Sequence, residues 1–113
     1  MNKYTELSDF EINKKVARNM LPAEYHFNEK NEQVELIKFI GDTNKYEVYG
    51  SFDPCNNPSD AMPIIIENEI SMIKSSCGWM CCHGSVGNVE HESSYRGAME
   101  VFLMMKDAEN EKI

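Results

Sequence analysis

No stretch of this 113-residue chain approaches the roughly 20 consecutive apolar residues that a membrane-spanning helix requires. The opening, MNKYTELSDF, turns polar at once and has no apolar h-region, so no secretory signal is expected. Basic residues are few: 11 Lys and Arg against 19 Asp and Glu leave a net charge of −8. That balance repels phosphate backbones and anionic lipid surfaces, which argues against nucleic-acid and membrane partners. From Gly50 onward there are four basic and ten acidic residues, and Lys14, Lys15 and Arg18 form the only basic cluster. Glycine-rich phosphate cradles are missing too, because neither Gly84 nor Gly87 is followed by Lys-Ser or Lys-Thr. Internal repeats and interdomain linkers are absent. A single domain over 1–113 is expected, with the acidic tail 107–113 frayed.

What is present suffices for a folded core, since 42% of the residues are hydrophobic. Ser8 followed by Glu11 reads as a capping box, and Ile12, Val16 and Met20 recur every four residues before Pro22. The pattern predicts an amphipathic helix ending at the proline. Between Glu24 and Gly50 the pattern shifts to imperfect alternation, predicting two or three antiparallel strands joined by turns at NEKNE and GDTNK. In this reading Tyr46, Val48 and Gly50 lie opposite Glu47 and Tyr49. DPCNNPS, residues 53–59, is a loop, followed by a helix capped by Ser59 or Asp60 with Pro63 near its first turn. Residues 70–75 and 78–83 read as strands, and GSVGNVEHESS as a loop with room for a short strand. A last helix is predicted over 94–106, apolar nearly all round and therefore buried. The fold class is α+β: an antiparallel sheet packed against about three helices.

Four cysteines without a secretory context read as reduced thiols or metal ligands rather than disulfides. Cys77, Cys81, Cys82 and His83 offer zinc's preferred donors, with Cys55 as a further one. The spacing opposes a shared ion: on a strand, four residues at about 3.3 Å each separate Cys77 from Cys81 by roughly 13 Å. Cys81 and Cys82 would also point to opposite faces. Small buried hydrophobes on a core strand explain these thiols more simply. A Cys-His nucleophile would need His26 or His91 as base, and nothing in the sequence marks either. Asp53, Asp60, Glu67 and Glu69 could suggest a carboxylate metal site, but cap and solvent-face roles account for them. No complete catalytic set emerges, and no cofactor is expected beyond the zinc alternative. The methionines and Trp79 read chiefly as core filling. The loop residues Asp53, Asn56, Asn57 and Asp60 are the better binding candidates, because loops on a rigid scaffold carry function disproportionately.

Three segments carry a likeness to a known family. FDPCNNPSDAMPIIIENEIS resembles the Pro-Ser-x-Asp-x-x-x-Pro-Ile-Ile-Glu segment of the NinX-like proteins of lambdoid phages and enterobacterial prophages. YRGAMEVFLMM is similar to that family's C-terminal helix, and YTELSDFEINKKVA to its opening. Residues 24–50 and CGWMCCHG lie outside the likeness. The resemblance implies a phage or prophage accessory protein in the cytoplasm of a bacterial host, and it brings no catalytic residues with it. The function expected is therefore non-enzymatic binding of a host or phage protein, with self-association as a further option. The alternatives are a zinc-binding domain and an acidic nucleic-acid mimic that inhibits a host enzyme.

Overall fold

In the computed structural model, which describes residues 2–22 and 24–111, local signals set the first helix. Helix α1 spans Asp9–Met20, and the Ser8 hydroxyl accepts the Glu11 amide at 3.1 Å. Only this half of the capping box is used, because the Glu11 carboxylate reaches Lys14 Nζ instead, at 2.9 Å. Leu21 leaves the helical region at φ −80°, ψ 120°, as its position before Pro22 requires. Ile12, Val16 and Ala17 form the buried stripe of α1.

Strands β1 (Tyr25–Asn28), β2 (Gln33–Phe39) and β3 (Tyr46–Phe52) form one antiparallel sheet in the order β1-β2-β3. Its turns fall at the two polar segments expected from the sequence. The facing of β3 differs from that expectation. Leu36 pairs with Gly50 and Ile37 with Val48, so Tyr49 is an extra residue in β3. This bulge places Gly50 on the opposite face from Tyr46 and Val48.

Helix α2 spans Pro58–Glu67, and the β-branched isoleucines do not make a strand. Its cap is Asn57 rather than Ser59 or Asp60: the Asn57 side chain accepts the Ser59 amide at 2.9 Å, with Pro58 at the first helical position. Pro63 consequently lies inside the helix, past its first turn. The helix ends in a Schellman arrangement, with the Ile70 amide bonded to the Ile65 carbonyl and Glu69 to Ile66. Glu69 is therefore not on a helix face. It holds φ at 54°, a conformation that costs a residue with a Cβ about 1–2 kcal/mol. Glu69→Gly is expected to raise stability by about 0.5–1 kcal/mol after glycine's greater unfolded-state entropy is deducted. A urea midpoint that stays put or falls would refute that expectation.

Strands β4 (Ser71–Ser75), β5 (Gly78–His83) and β6 (Gly87–His91) form a second antiparallel sheet in the order β4-β5-β6. Helix α3 runs Ser94–Glu111, so residues 107–111, expected to fray, continue the helix, while 112–113 lie outside the described residues. Tyr4 and Lys3 both reach Asp107, which ties that last stretch to the segment before α1. The Tyr4 hydroxyl is raised well above its usual range by burial and by its bond to Asp107. Ala98, Met99, Val101, Phe102 and Leu103 of α3 are buried against α1, α2 and the second sheet, and Val34 and Phe52 extend the core to the first sheet. The architecture is α+β, as expected, with two small sheets in place of one.

Candidate functional site

The loop between β3 and α2 divides along its length. Pro54 and Cys55 turn inward and are buried, whereas Asn56, Asn57, Pro58 and Ser59 are exposed. The turn is closed by the Asn57 and Asn56 amides donating to the Asp53 carbonyl, at 2.7 and 3.1 Å. The Asp53 amide in turn donates to Asp60 Oδ2 at 2.9 Å. Both ends of the loop are thus locked to each other, a common use of Asp and Asn in turns.

Helix α1 grips the loop through two side chains, Asn13 and Asp9. Asn13 is buried; its Nδ2 donates to Asp53 Oδ1 at 2.7 Å while its Oδ1 accepts the Cys55 amide at 3.2 Å. Above it, Asn56 Nδ2 sits between two carboxylates, 3.2 Å from Asp9 Oδ2 and 3.1 and 3.2 Å from the Asp53 oxygens. Of the four loop residues expected from the sequence, Asp53, Asn56 and Asp60 join this network, and Asn57 caps α2. Asp9 and Asn13 were not expected to belong to it.

Beneath the Asp9 side of the loop lies Arg96 of α3, 5% exposed. Its Nη1 donates to Asp9 Oδ1 at 2.7 Å and its Nε to Glu100 Oε2 at 2.8 Å. Nη2 reaches the carbonyls of Tyr4 at 3.0 Å and Leu7 at 2.7 Å. Burial works against the charged guanidinium, but its bonds to Asp9 and Glu100 outweigh that and leave its pKa raised. Glu100, 1% exposed, also accepts from Asn2 Nδ2 at 3.2 Å. Glu100, the one acid of α3 before Asp107, thus marks a buried ion pair. Its i,i+4 spacing from Arg96 was the available sequence signal.

The cysteine cluster is not assembled. Cys77 is exposed in the β4–β5 turn, Cys81 is buried, and Cys82, its neighbour along β5, is half-buried. His83 Nδ1 accepts the Ser85 amide at 3.1 Å and lies 2.8 Å from the Ser85 hydroxyl. Cys55 is in a different region, its thiol facing the Asp9 carbonyl. Among the described residues no group of three or more His, Cys, Asp or Glu side chains could hold a metal ion. The zinc reading of Cys77, Cys81, Cys82 and His83 has no geometric support, for the pleat-and-spacing reason already visible in the sequence.

The buried thiols are also poorly suited to attack. The Cys81 thiol is pushed up to about 11 by burial and by the charges of Cys82 and Glu100, and Cys55 is raised further by burial beside Asp9. Activated cysteines show the opposite shift. In native protein at pH 7.5, iodoacetamide is expected to label Cys77 quickly and leave Cys55 and Cys81 unmodified until denaturant is added. Peptide mass mapping over time checks this, and early labelling at Cys55 would contradict the buried geometry.

The family described as Bacteriophage P22, NinX matches residues 3–106. The chain belongs to that family. The match runs through residues 24–50 and through CGWMCCHG, which had stood outside the resemblance. No curated protein and no solved structure matches the chain. In this NinX-family protein the three segments that carried the likeness meet at one place. The opening supplies Tyr4, Leu7, Asp9 and Asn13, the loop supplies Asp53, Cys55 and Asn56, and the last helix supplies Arg96 and Glu100.

Proposed function

We propose that this NinX-family protein is a phage accessory protein that works without catalysis, by binding a protein of the phage or its bacterial host in the cytoplasm. The observation that carries the reading is the exposed loop crest Asn56-Asn57-Pro58-Ser59, fixed from beneath by Asn13, Asp53, Asp60 and, through Asp9, by Arg96. A crest held in one conformation loses little entropy on binding, which favours affinity for a given contact area. Exposed amides and hydroxyls beside the carboxylates of Asp9 and Asp53 suit a partner offering hydrogen-bond donors or cationic side chains. The net charge of −8 weighs against nucleic acid as that partner.

The test is affinity capture from a phage-infected host lysate with the wild-type chain and with Ser59→Arg, an exposed position whose side chain supports nothing else. A specific partner retained by the wild type and lost by the variant, at unchanged melting temperature, supports the reading. Recovery of no specific partner, or equal capture by both proteins, refutes it.

A further inference from the structure

The outer face of the first sheet, turned away from the core, carries an apolar surface that no element among the described residues covers. Residues paired directly across an antiparallel sheet share a face. The pairs Ile37–Val48 and Phe39–Tyr46 therefore lie together, and Tyr46 links them to the neighbouring strands. Its ring centroid is 6.1 Å from Phe39, edge to face, and 5.7 Å from His26 of β1. Ile37 is buried but stands outside the main core cluster, so this face has a small apolar cluster of its own. Phe39, Tyr46 and Val48 on it, with Ile40 and the bulged Tyr49 beside it, are between 41 and 61% exposed.

We propose that this face is a dimerisation surface on which a second copy of the chain packs, outer sheet face against outer sheet face. At about 200 Å² per large aromatic side chain and somewhat less per aliphatic one, the five residues leave roughly 400 Å² of apolar surface open. A standard interface buries about 800 Å² per partner, a little over half of it apolar, so the patch supplies the apolar share of one half-interface.

Low charge favours a second copy as occupant, because this is where two acidic chains repel least. Over the β2–β3 hairpin, residues 33–52, Lys38 and Lys45 stand against Glu35, Asp42 and Glu47, so the hairpin carries a net charge of only −1 in a chain of net charge −8. Two copies repel wherever acidic surfaces come within about 8 Å at physiological salt, and the hairpin is where that repulsion falls away. A basic partner would instead be drawn to the acidic second half of the chain. Edge-to-edge pairing is disfavoured, although β3 is an edge strand, because the Tyr49 bulge interrupts its ladder. In the face-to-face arrangement the two sheets stack about 10 Å apart, as packed sheets do.

Sedimentation velocity of the untagged chain from 1 to 200 µM tests this. The expected result is a monomer–dimer equilibrium that tightens as salt rises from 50 to 500 mM, because repulsion elsewhere is screened. Val48→Lys and Tyr46→Lys are each expected to weaken dimerisation at least tenfold with unchanged far-UV circular dichroism. Ile66→Lys, at an apolar position 68% exposed outside this face, is expected to leave it unaltered. A wild type that is monomeric throughout, or a dimer indifferent to both sheet variants, overturns the proposal. Either result leaves the Ser59-dependent capture of another protein untouched.

Discussion

Replacing Arg96 by Met is expected to cost about 3–5 kcal/mol, the usual consequence of removing one member of a buried ion pair. The side chain leaves behind Glu100, 1% exposed and still bonded only to Asn2, with no cation beside it. The carbonyls of Tyr4 and Leu7 lose their side-chain donor, and Asp9 loses its hold beneath the loop. A domain of this size has roughly 5–15 kcal/mol in total, so the variant should sit near the limit of folding at 37 °C. Urea denaturation at 15 °C measures the loss. Two companions separate charge from shape. Arg96→Lys keeps the charge but not the planar fork that reaches four acceptors, so it should recover only part of the loss. Arg96→Met/Glu100→Leu removes the stranded carboxylate and should be more stable than Arg96→Met alone. A cost below about 1 kcal/mol for Arg96→Met would mean that the network decorates the fold rather than joining its segments.

The network explains why sequence reading found the loop but not its anchor. The elements set by neighbours in the chain were legible: the Ser8 cap, the stop at Pro22, the two polar turns of the first sheet and the apolar run of α3. Asp53, Asn56 and Asp60 were legible as loop residues because turn chemistry is local. Arg96 was not, since its partners Tyr4, Leu7 and Asp9 lie 87 to 92 positions away. No periodicity records such a pairing. Its only local trace is the Arg96–Glu100 spacing, a pairing that solvent-exposed helix surfaces also carry.

Other departures have equally specific causes. Ser59 and Asp60 are sound cap residues, but Asn57 followed by Pro58 at the first helical position is a stronger pair. Choosing the later cap placed Pro63 wrongly. The bulge at Tyr49 shifts facing within β3, so Gly50, expected beside Tyr46 and Val48, lies on the other side. The stretch DAENE looked too acidic to hold structure, yet Asp107 is fastened by Tyr4 and Lys3 at the far end of the sequence. The spread of Cys81, Cys82 and His83 along one strand was legible because strand rise and pleat are local quantities, but Cys77, expected as a buried strand residue, is exposed in the turn before β5.

The second large effect is expected at Gly78, where Ala should cost about 3 kcal/mol. Gly78 opens β5 after the two-residue turn Ser76-Cys77 and pairs with Ser75. Its φ is 147°, a region that residues with a Cβ adopt only under strain of about 1–3 kcal/mol. Space is a separate obstacle. A Cβ there would come 2.5 Å from the His91 carbonyl oxygen and 2.9 Å from the Glu92 Cα. Both are backbone atoms, so no side chain can swing aside, and the end of β6 must move. That end carries the Trp79–His91 pair and the His91 ring, whose Nδ1 accepts the Ser93 amide at 2.9 Å just before α3. Damage should therefore be local first: faster hydrogen exchange at Trp79, His91 and Ser93 than at Val34 or Val16. Gly84→Ala is the internal control, because nothing lies within 4 Å of its Cβ position and its φ is outside the left-handed region. It should change stability by less than about 0.5 kcal/mol. If the two substitutions cost the same, the close approach of β5 to the β6–α3 junction is not what fixes glycine at position 78.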